Sequence, residues 1–276
     1  DFGSLENIAK AMNSAFVYDG KYSEFRGRTF GASSENFPGS YFLSYIQNHD
    51  QVGNRVDGKR LSSMIGLSKY RLAVALVLLS QSIPFLFMGE EYAETAPFHY
   101  FVSHSNKDLI EKLREEKRTQ FDDSKKRGLQ FADPQAEKTF ELSKLDHNLK
   151  SEPEHRLILD FYRALIELRK EFHAFSNYER DSMRIEALPE KNALIMDRKD
   201  AANEVLAVFV LGKTPAKISL PTISSRTDNQ PPKKWVKIFD SADFSRKVGL
   251  EPVRIEADGK KLKFSGESIV IFSRMI

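Results

Sequence analysis

The chain has 276 residues, 41% of them hydrophobic, which is enough for roughly two domains with real cores. Its 42 basic and 39 acidic residues nearly balance at a net charge of +3, and the Lys-rich stretches 124–127 and 231–234 are too short for a nucleic-acid stripe or a polybasic membrane anchor. The lack of cysteine excludes disulfides and thiolate chemistry and suits a cytoplasmic location.

Leu5, Ile8, Ala9, Met12 and Phe16 recur at helical spacing behind Ser4, a side chain suited to capping, so residues 4–16 read as a helix. Residues 17–40 form an aromatic loop with Arg and Gly, of the kind that walls a binding cleft. In it Tyr18, Tyr22 and Phe30 can stack on apolar sugar faces or simply pack on one another. The apolar run 41–46 reads as a strand, and it ends in Gln47-Asn48-His49-Asp50-Gln51-Val52-Gly53-Asn54-Arg55. A dense polar set at the end of a strand is how α/β barrels present catalytic groups. Asp50 offers a carboxylate, His49 and Asn48 offer hydrogen bonds to sugar hydroxyls, and Arg55 is a cation that can hold a neighbouring carboxylate ionised. The same residues also make an ordinary polar turn. Residues 68–81 are apolar nearly all round and read as a buried helix, and the apolar core 72–79 is too short to span a bilayer. A second apolar run from Pro84 ends in Gly89, Glu90 and Glu91. Strand, helix and strand make one right-handed crossover of a parallel sheet, which brings both polar clusters to the same edge.

Residues 93–150 are polar and irregular, with a helix expected over 106–119. Ser151-Glu152-Pro153-Glu154 reads as a capping box with Pro at an early helical position. It opens a helix whose core stripe is Leu157, Ile158, Phe161, Tyr162, Leu165, Ile166 and Leu168. From about residue 178 the short β-prone segments 183–188, 193–198, 204–211, 216–220, 235–239, 253–256, 261–264 and 268–273 alternate with turn residues. That is the pattern of a small antiparallel sandwich, with 221–234 as a disordered-looking insert. The expected domains are therefore 1–177 and 178–276. The six histidines lack metal-ligand spacing, so neither metal nor other cofactor is expected. His99 and His104, beside Tyr100 and Phe101, are either cleft residues or part of an aromatic loop. Glu90 and Glu91 suit structural or substrate-positioning work better than acid catalysis.

Asn48-His49-Asp50-Gln51, followed by Phe85-Leu86-Phe87-Met88-Gly89-Glu90-Glu91-Tyr92, resembles the last two strands of the alpha-amylase superfamily barrel. Pro97-Phe98-His99-Tyr100-Phe101-Val102-Ser103-His104 and Phe16-Val17-Tyr18-Asp19-Gly20-Lys21-Tyr22-Ser23 are similar to the branch that releases trehalose from maltooligosyltrehalose. Glycogen branching enzymes usually carry Glu in place of Gln51 and Gly in place of Glu90. The resemblance implies an α/β fold, the C-terminal part of a (β/α)8 TIM barrel followed by an antiparallel β-sandwich domain. It implies retaining cleavage of the α-1,4-glucosidic bond that joins a maltooligosaccharide to its terminal trehalose. Asp50 would be catalytic, stabilising the transition state, with His49, Asn48, Gln51, Arg55, Glu91 and Tyr22 binding substrate, and maltooligosyltrehalose or a related alpha-glucan as the partner.

A retaining glycosidase needs two carboxyl groups about 5 Å apart. The family's G-x-R-x-D nucleophile strand and the acid on the strand after it are both missing from this chain. Met183-Arg184-Ile185-Glu186-Ala187 lacks the Gly and carries Glu for Asp. A whole barrel takes about 250 residues, yet only two barrel strands precede the β-rich segment. The chain is thus expected to be the C-terminal part of a longer enzyme, inactive alone, whose N-terminal part supplies both carboxyls. Two other readings stand beside this one: a branching enzyme or other amylase relative, and a noncatalytic carbohydrate-binding or structural fragment.

Overall fold

The computed structural model describes residues 1–121, 131–220, 234–244, 252–255 and 261–276. The Lys-rich stretch 124–127, most of the insert expected over 221–234, and Glu256 lie outside these residues. The chain divides into two compact units, one of Asp1–Ser44, Arg71–Phe85 and Asp160–Ile276, the other of Tyr45–Tyr70 and Leu86–Leu159.

In the first unit, helix α1 (Leu5–Ser14) starts where Ser4 accepts a hydrogen bond from the Asn7 amide at 3.3 Å and stops at Ala15, whose φ of 64° is left-handed. The stretch expected to be a loop contains a hairpin, β1 (Asp19–Ser23) paired antiparallel with β2 (Arg28–Gly31). The next two strands are parallel, as a crossover requires, but only two residues long: β3 (Leu43–Ser44) and β4 (Ile83–Pro84), with Leu43 opposite Ile83. Flanking bonds from the Ile83 amide to Phe42 O (2.9 Å) and from the Phe85 amide to Ser44 O (2.8 Å) extend the ladder slightly. The run expected from residue 41 is shortened by a 3₁₀ turn, Gly39–Tyr41. A two-stranded parallel sheet also lacks the neighbours that lengthen such ladders. Tyr41, Leu43, Ile83 and Phe85 are all exposed on it.

Helix α3 (Leu61–Leu78) begins earlier than the apolar run suggests, because a first segment precedes a break at Gly66, where φ is 76° and ψ is 156°. By length and composition it is the one helix among the described residues apolar enough to cross a membrane. The break leaves about 12 continuous residues, roughly 18 Å against the ~30 Å of a hydrocarbon core, and Leu72, Val74, Ala75, Leu76, Val77 and Leu78 are buried. It is a core helix.

Helix α6 runs Pro153–Glu171, after α4 and α5 of the second unit. Ser151 closes a 3₁₀ turn instead of capping α6, so the expected capping box is absent and Pro153 alone marks the start. The expected stripe is buried at Ile158, Phe161, Tyr162, Leu165 and Leu168, and a short helix α7 (His173–Ser176) follows.

Among the described residues eight strands then appear close to their expected places: β5 (Met183–Leu188), β6 (Ala193–Lys199), β7 (Asn203–Val210), β8 (Ala216–Ser219), β9 (Val236–Asp240), β10 (Arg254–Ile255), β11 (Lys261–Phe264) and β12 (Ser268–Met275). They form a five-stranded sheet, β5-β6-β7-β12-β9, and a three-stranded sheet, β10-β11-β8, with antiparallel neighbours throughout. Leu206, Val208, Val210, Val270 and Phe272 share one core with Ile218, Leu262 and Phe264 of the smaller sheet. The alternate residues Val205, Ala207, Phe209, Ile269 and Ile271 are buried too, so the central strands are covered on both faces. Each buried Val, Leu, Ile or Phe side chain among them contributes about 1.5–3 kcal/mol. Towards one end of this core Trp235 lies 4.2 Å beneath the Arg274 guanidinium, which donates from Nε to Glu204 at 2.6 Å. On the same side of the sheet, burial first and the Glu204 charge second push the Asp197 carboxyl up to about 6.

In the second unit, α2 (His49–Gly53) precedes the first segment of α3. The stretch expected to be mostly irregular holds α4 (Lys107–Gln120), capped by the Asn106 side chain, α5 (Glu137–Leu142) and a 3₁₀ turn His147–Ser151.

Candidate active site

Asn48 has extended backbone angles, and its side chain accepts from the Asp50 amide at 2.8 Å while Gln51 Oε1 accepts from the Asn48 amide at 2.8 Å. This reciprocal capping box stabilises a helix of barely more than one turn, and fully buried Val52 pins its inner face. Gln47, also buried, accepts from the Leu61 amide at 2.9 Å and ties the turn to α3. The capping box leaves His49 and Asp50 facing solvent, with 69% and 66% of their side chains exposed and His49 Nε2 3.2 Å from Asp50 Oδ1. Asp50 is thus an accessible carboxylate held on a fixed backbone. Asn48 and Gln51, expected to contact substrate, shape the turn that presents it. Arg55 donates to the Lys59 carbonyl at 2.6 Å, a backbone partner in place of the carboxylate expected from sequence.

The second polar cluster is divided by burial. Glu90 is 2% exposed, whereas Glu91 is half-buried in the 3₁₀ turn Glu90–Tyr92. The turn is bracketed by left-handed residues, Gly89 at φ 82° and Ala93 at φ 55°. A Cβ on Gly89 would sit 2.8 Å from Glu94 Cβ and Leu145 Cδ2. This tight path carries Glu94 fully inside, where Oε1 accepts from the Thr95 and Ala96 amides at 2.8 Å each. Oε2 accepts from the Asp146 amide at 2.8 Å and the Tyr92 hydroxyl at 3.0 Å. Burial, then the bond to Glu94, raises the Tyr92 phenol pKa. Arg60, equally buried, donates to Ala96 O at 2.8 Å and Met88 O at 2.7 Å, and burial lowers its pKa against the pull of Glu94. Glu94 and Arg60 carry no periodic or motif signal in the sequence, and only the fold identifies them.

His99 sits with its ring 3.0 Å from the Cβ position of Gly58, and burial lowers its pKa, opposed by Asp57. In the first unit, Tyr22 is exposed on β1, whereas Tyr18 packs edge-on against Phe30 and bonds to Asp1 and Ser23. Of the three aromatics considered for sugar stacking, Tyr22 alone presents an open ring. Among the described residues no three metal-ligating side chains gather.

The structure superimposes with a TM-score of 0.75 on a putative alpha amylase from Salmonella typhimurium, at 28% identity, covering 97% of this chain and 41% of that one. A pullulanase from Anoxybacillus sp. LM18-11, solved with maltotetraose, has a TM-score of 0.51 at 18% identity, a likeness of fold alone that covers 98% of this chain and 30% of that one. The chain therefore has an alpha-amylase-type fold. Within that class its curated homologues are malto-oligosyltrehalose trehalohydrolases. It is 45% identical over 172 residues to the protein of that name from Saccharolobus solfataricus, 39% over 173 residues to that of Rhizobium sp. strain M-11, and 34% over 171 residues to that of Mycobacterium tuberculosis. These matches cover 61–62% of this chain but only 28–30% of the relatives, so the chain spans less than a third of their length. No protein-family model matches it.

Proposed function

We propose that this chain is the C-terminal part of a glycoside hydrolase that releases trehalose from maltooligosyltrehalose by retaining cleavage of the adjacent α-1,4-glucosidic bond. Residues 1–177 belong to the catalytic (β/α)8 barrel and residues 178–276 to a β-sandwich domain. The observation that carries this reading is the 45% identity to the Saccharolobus solfataricus trehalohydrolase over 172 residues. The accessible Asp50 on its capped turn supports it.

Asp50 would place negative charge beside the oxocarbenium-like transition state, with His49 donating to a hydroxyl of the same sugar. Asn48 and Gln51 fix Asp50 through the capping box and, with Arg55, Glu91 and Tyr22, are assigned to substrate contact. The nucleophile and the acid come from the N-terminal part of the enzyme, without a cofactor, and residues 1–276 alone are expected to release no trehalose. The cysteine-free composition is the ground for placing the enzyme in the cytoplasm.

The test is Asp50→Asn in the full-length enzyme, assayed for trehalose released from maltooligosyltrehalose. Turnover is expected to fall on the order of 10³-fold or more, with the circular dichroism spectrum retained. Activity within about tenfold of wild type would remove Asp50 from the chemistry. Starch cleaved in preference to maltooligosyltrehalose would instead favour a general amylase.

A further inference from the structure

Arg198 and Arg169, two of the buried arginines of the first unit, have no acidic partner among the described residues. Arg198 on β6 is fully buried and Arg169 on α6 is 9% exposed. The charged and polar groups acting on Arg198 are Arg169 itself and the Tyr178 phenol. Burial first, and then the second cation, bring the Arg198 guanidinium down to about 9. Arg198 Nε has no hydrogen-bond acceptor among the described residues. Two like charges held together inside a protein are costly, and apolar side chains of similar volume usually serve stability better. A compensating interaction is therefore required.

Backbone carbonyls supply it. Arg169 donates to Leu78 O at 2.7 Å, Ser80 O at 2.8 Å and Ser82 O at 3.0 Å. Arg198 donates to Leu79 O at 2.7 Å and to Asn177 O at 2.5 Å. Four of these five acceptors belong to residues 78–82, the link from the end of α3 to the start of β4. Carbonyls at a helix C-terminus lack partners within the helix and carry its partial negative charge, so guanidinium forks suit them well. The same link is held from a third side. Gln81 Nε2 donates to Met12 O and Asn13 O of α1 at 3.3 Å each, and Asn13 is bonded in both directions to Ile185 of β5. On the fourth side a Cβ on Gly39 would lie 2.1 Å from Gln81 O.

We infer that Arg169 and Arg198 form a clamp that ties residues 78–82 to the five-stranded sheet, so that β4 and that sheet open as one cooperative unit. The sandwich is therefore an anchor for the parallel strand pair. Proximity without the clamp would let β3 and β4, a two-residue ladder, fray independently.

The test is residue-resolved hydrogen exchange on residues 1–276. In the wild type the amides of Ile83 and Phe85 are expected to exchange with the same opening free energy as those of Val208 and Ile271. In Arg198→Met, Ile83 and Phe85 are expected to lose about tenfold or more of their protection, while Val208 and Ile271 keep theirs. Unchanged protection at Ile83 and Phe85, or an equal loss at all four amides, would overturn the clamp. Arg198→Lys, which keeps the charge but not the two-pronged fork, supplies the same comparison if the Met variant does not fold.

Discussion

Residues 78–82 of the first unit and the turn after Gly89 in the second solve the same problem with different sets of buried charges. In the first, buried guanidinium groups gather backbone carbonyls: Arg169 and Arg198 hold residues 78–82, and elsewhere in the same unit buried Arg71 holds Phe244 O. In the second, a buried carboxylate gathers donors, with Glu94 accepting from Thr95, Ala96, Asp146 and Tyr92, while the single buried cation Arg60 takes the Met88 and Ala96 carbonyls. The choice follows from which backbone groups each turn leaves over. The end of a helix strands carbonyls, whereas the tight path after Gly89 turns amides inward. A buried ion here is best understood through the peptide groups it satisfies, more than through any counter-ion.

That contrast breaks most sharply at Glu94. Glu94→Ala strands four donors in the interior, and a loss of roughly 3–5 kcal/mol is expected. Hydrogen exchange should accelerate at Thr95, Ala96 and Asp146 before it does at the strands of the five-stranded sheet. A loss below about 1 kcal/mol in urea unfolding would show that water replaces the carboxylate freely.

The corresponding lesion on the carbonyl side is Gly39→Ala. The new methyl would meet the Gln81 carbonyl at 2.1 Å, backbone against backbone, so either Gly39 or the clamped link must move. Destabilisation of roughly 2–3 kcal/mol is expected, read as a lowered melting temperature. A neutral substitution would mean that residues 78–82 are held far more loosely than their hydrogen bonds imply.

The smallest effect has the opposite sign and sharpens the rule. Asp197 is a half-buried carboxyl without such a set of donors, and its pKa is raised to about 6. Its folded pKa lies above the unfolded value near 3.9, so the native state binds the extra proton between those pH values and loses stability as pH rises through them. Asp197→Asn should therefore stabilise the chain at pH 7.5 by roughly 1–2 kcal/mol, discounted for partial exposure. The advantage should vanish near pH 4. An equal effect at both pH values in urea titrations would exclude the charge as its cause.

Much of this architecture was legible from local pattern. The Ser4 cap, the buried stripe of α6 and all eight strands after residue 178 follow from spacing and turn residues, since those signals lie within a few positions of one another. The approach to Asp50 was legible as well, because the polar burst follows an apolar run directly. What escaped the sequence was long-range. Arg169 and Leu78 are 91 positions apart, and Glu94 and Asp146 are 52 apart. Nothing in either neighbourhood marks these side chains as buried. The capping roles of Asn48 and Gln51 were missed for another reason: residue types able to bind a sugar hydroxyl are equally able to bind a nearby amide. Ser151 shows the reverse, a cap signature overridden by a 3₁₀ turn.

Trp235, the single tryptophan in the chain, lies 4.2 Å beneath the Arg274 guanidinium and packs against the core shared by both sheets. Its emission is thus a native optical probe of one place, the flank of β12 beside β9. Exciting the indole therefore reports that place without labelling. An emission maximum moving to longer wavelength would signal water reaching the indole as the guanidinium lifts away, whether or not the rest of the sheet has changed.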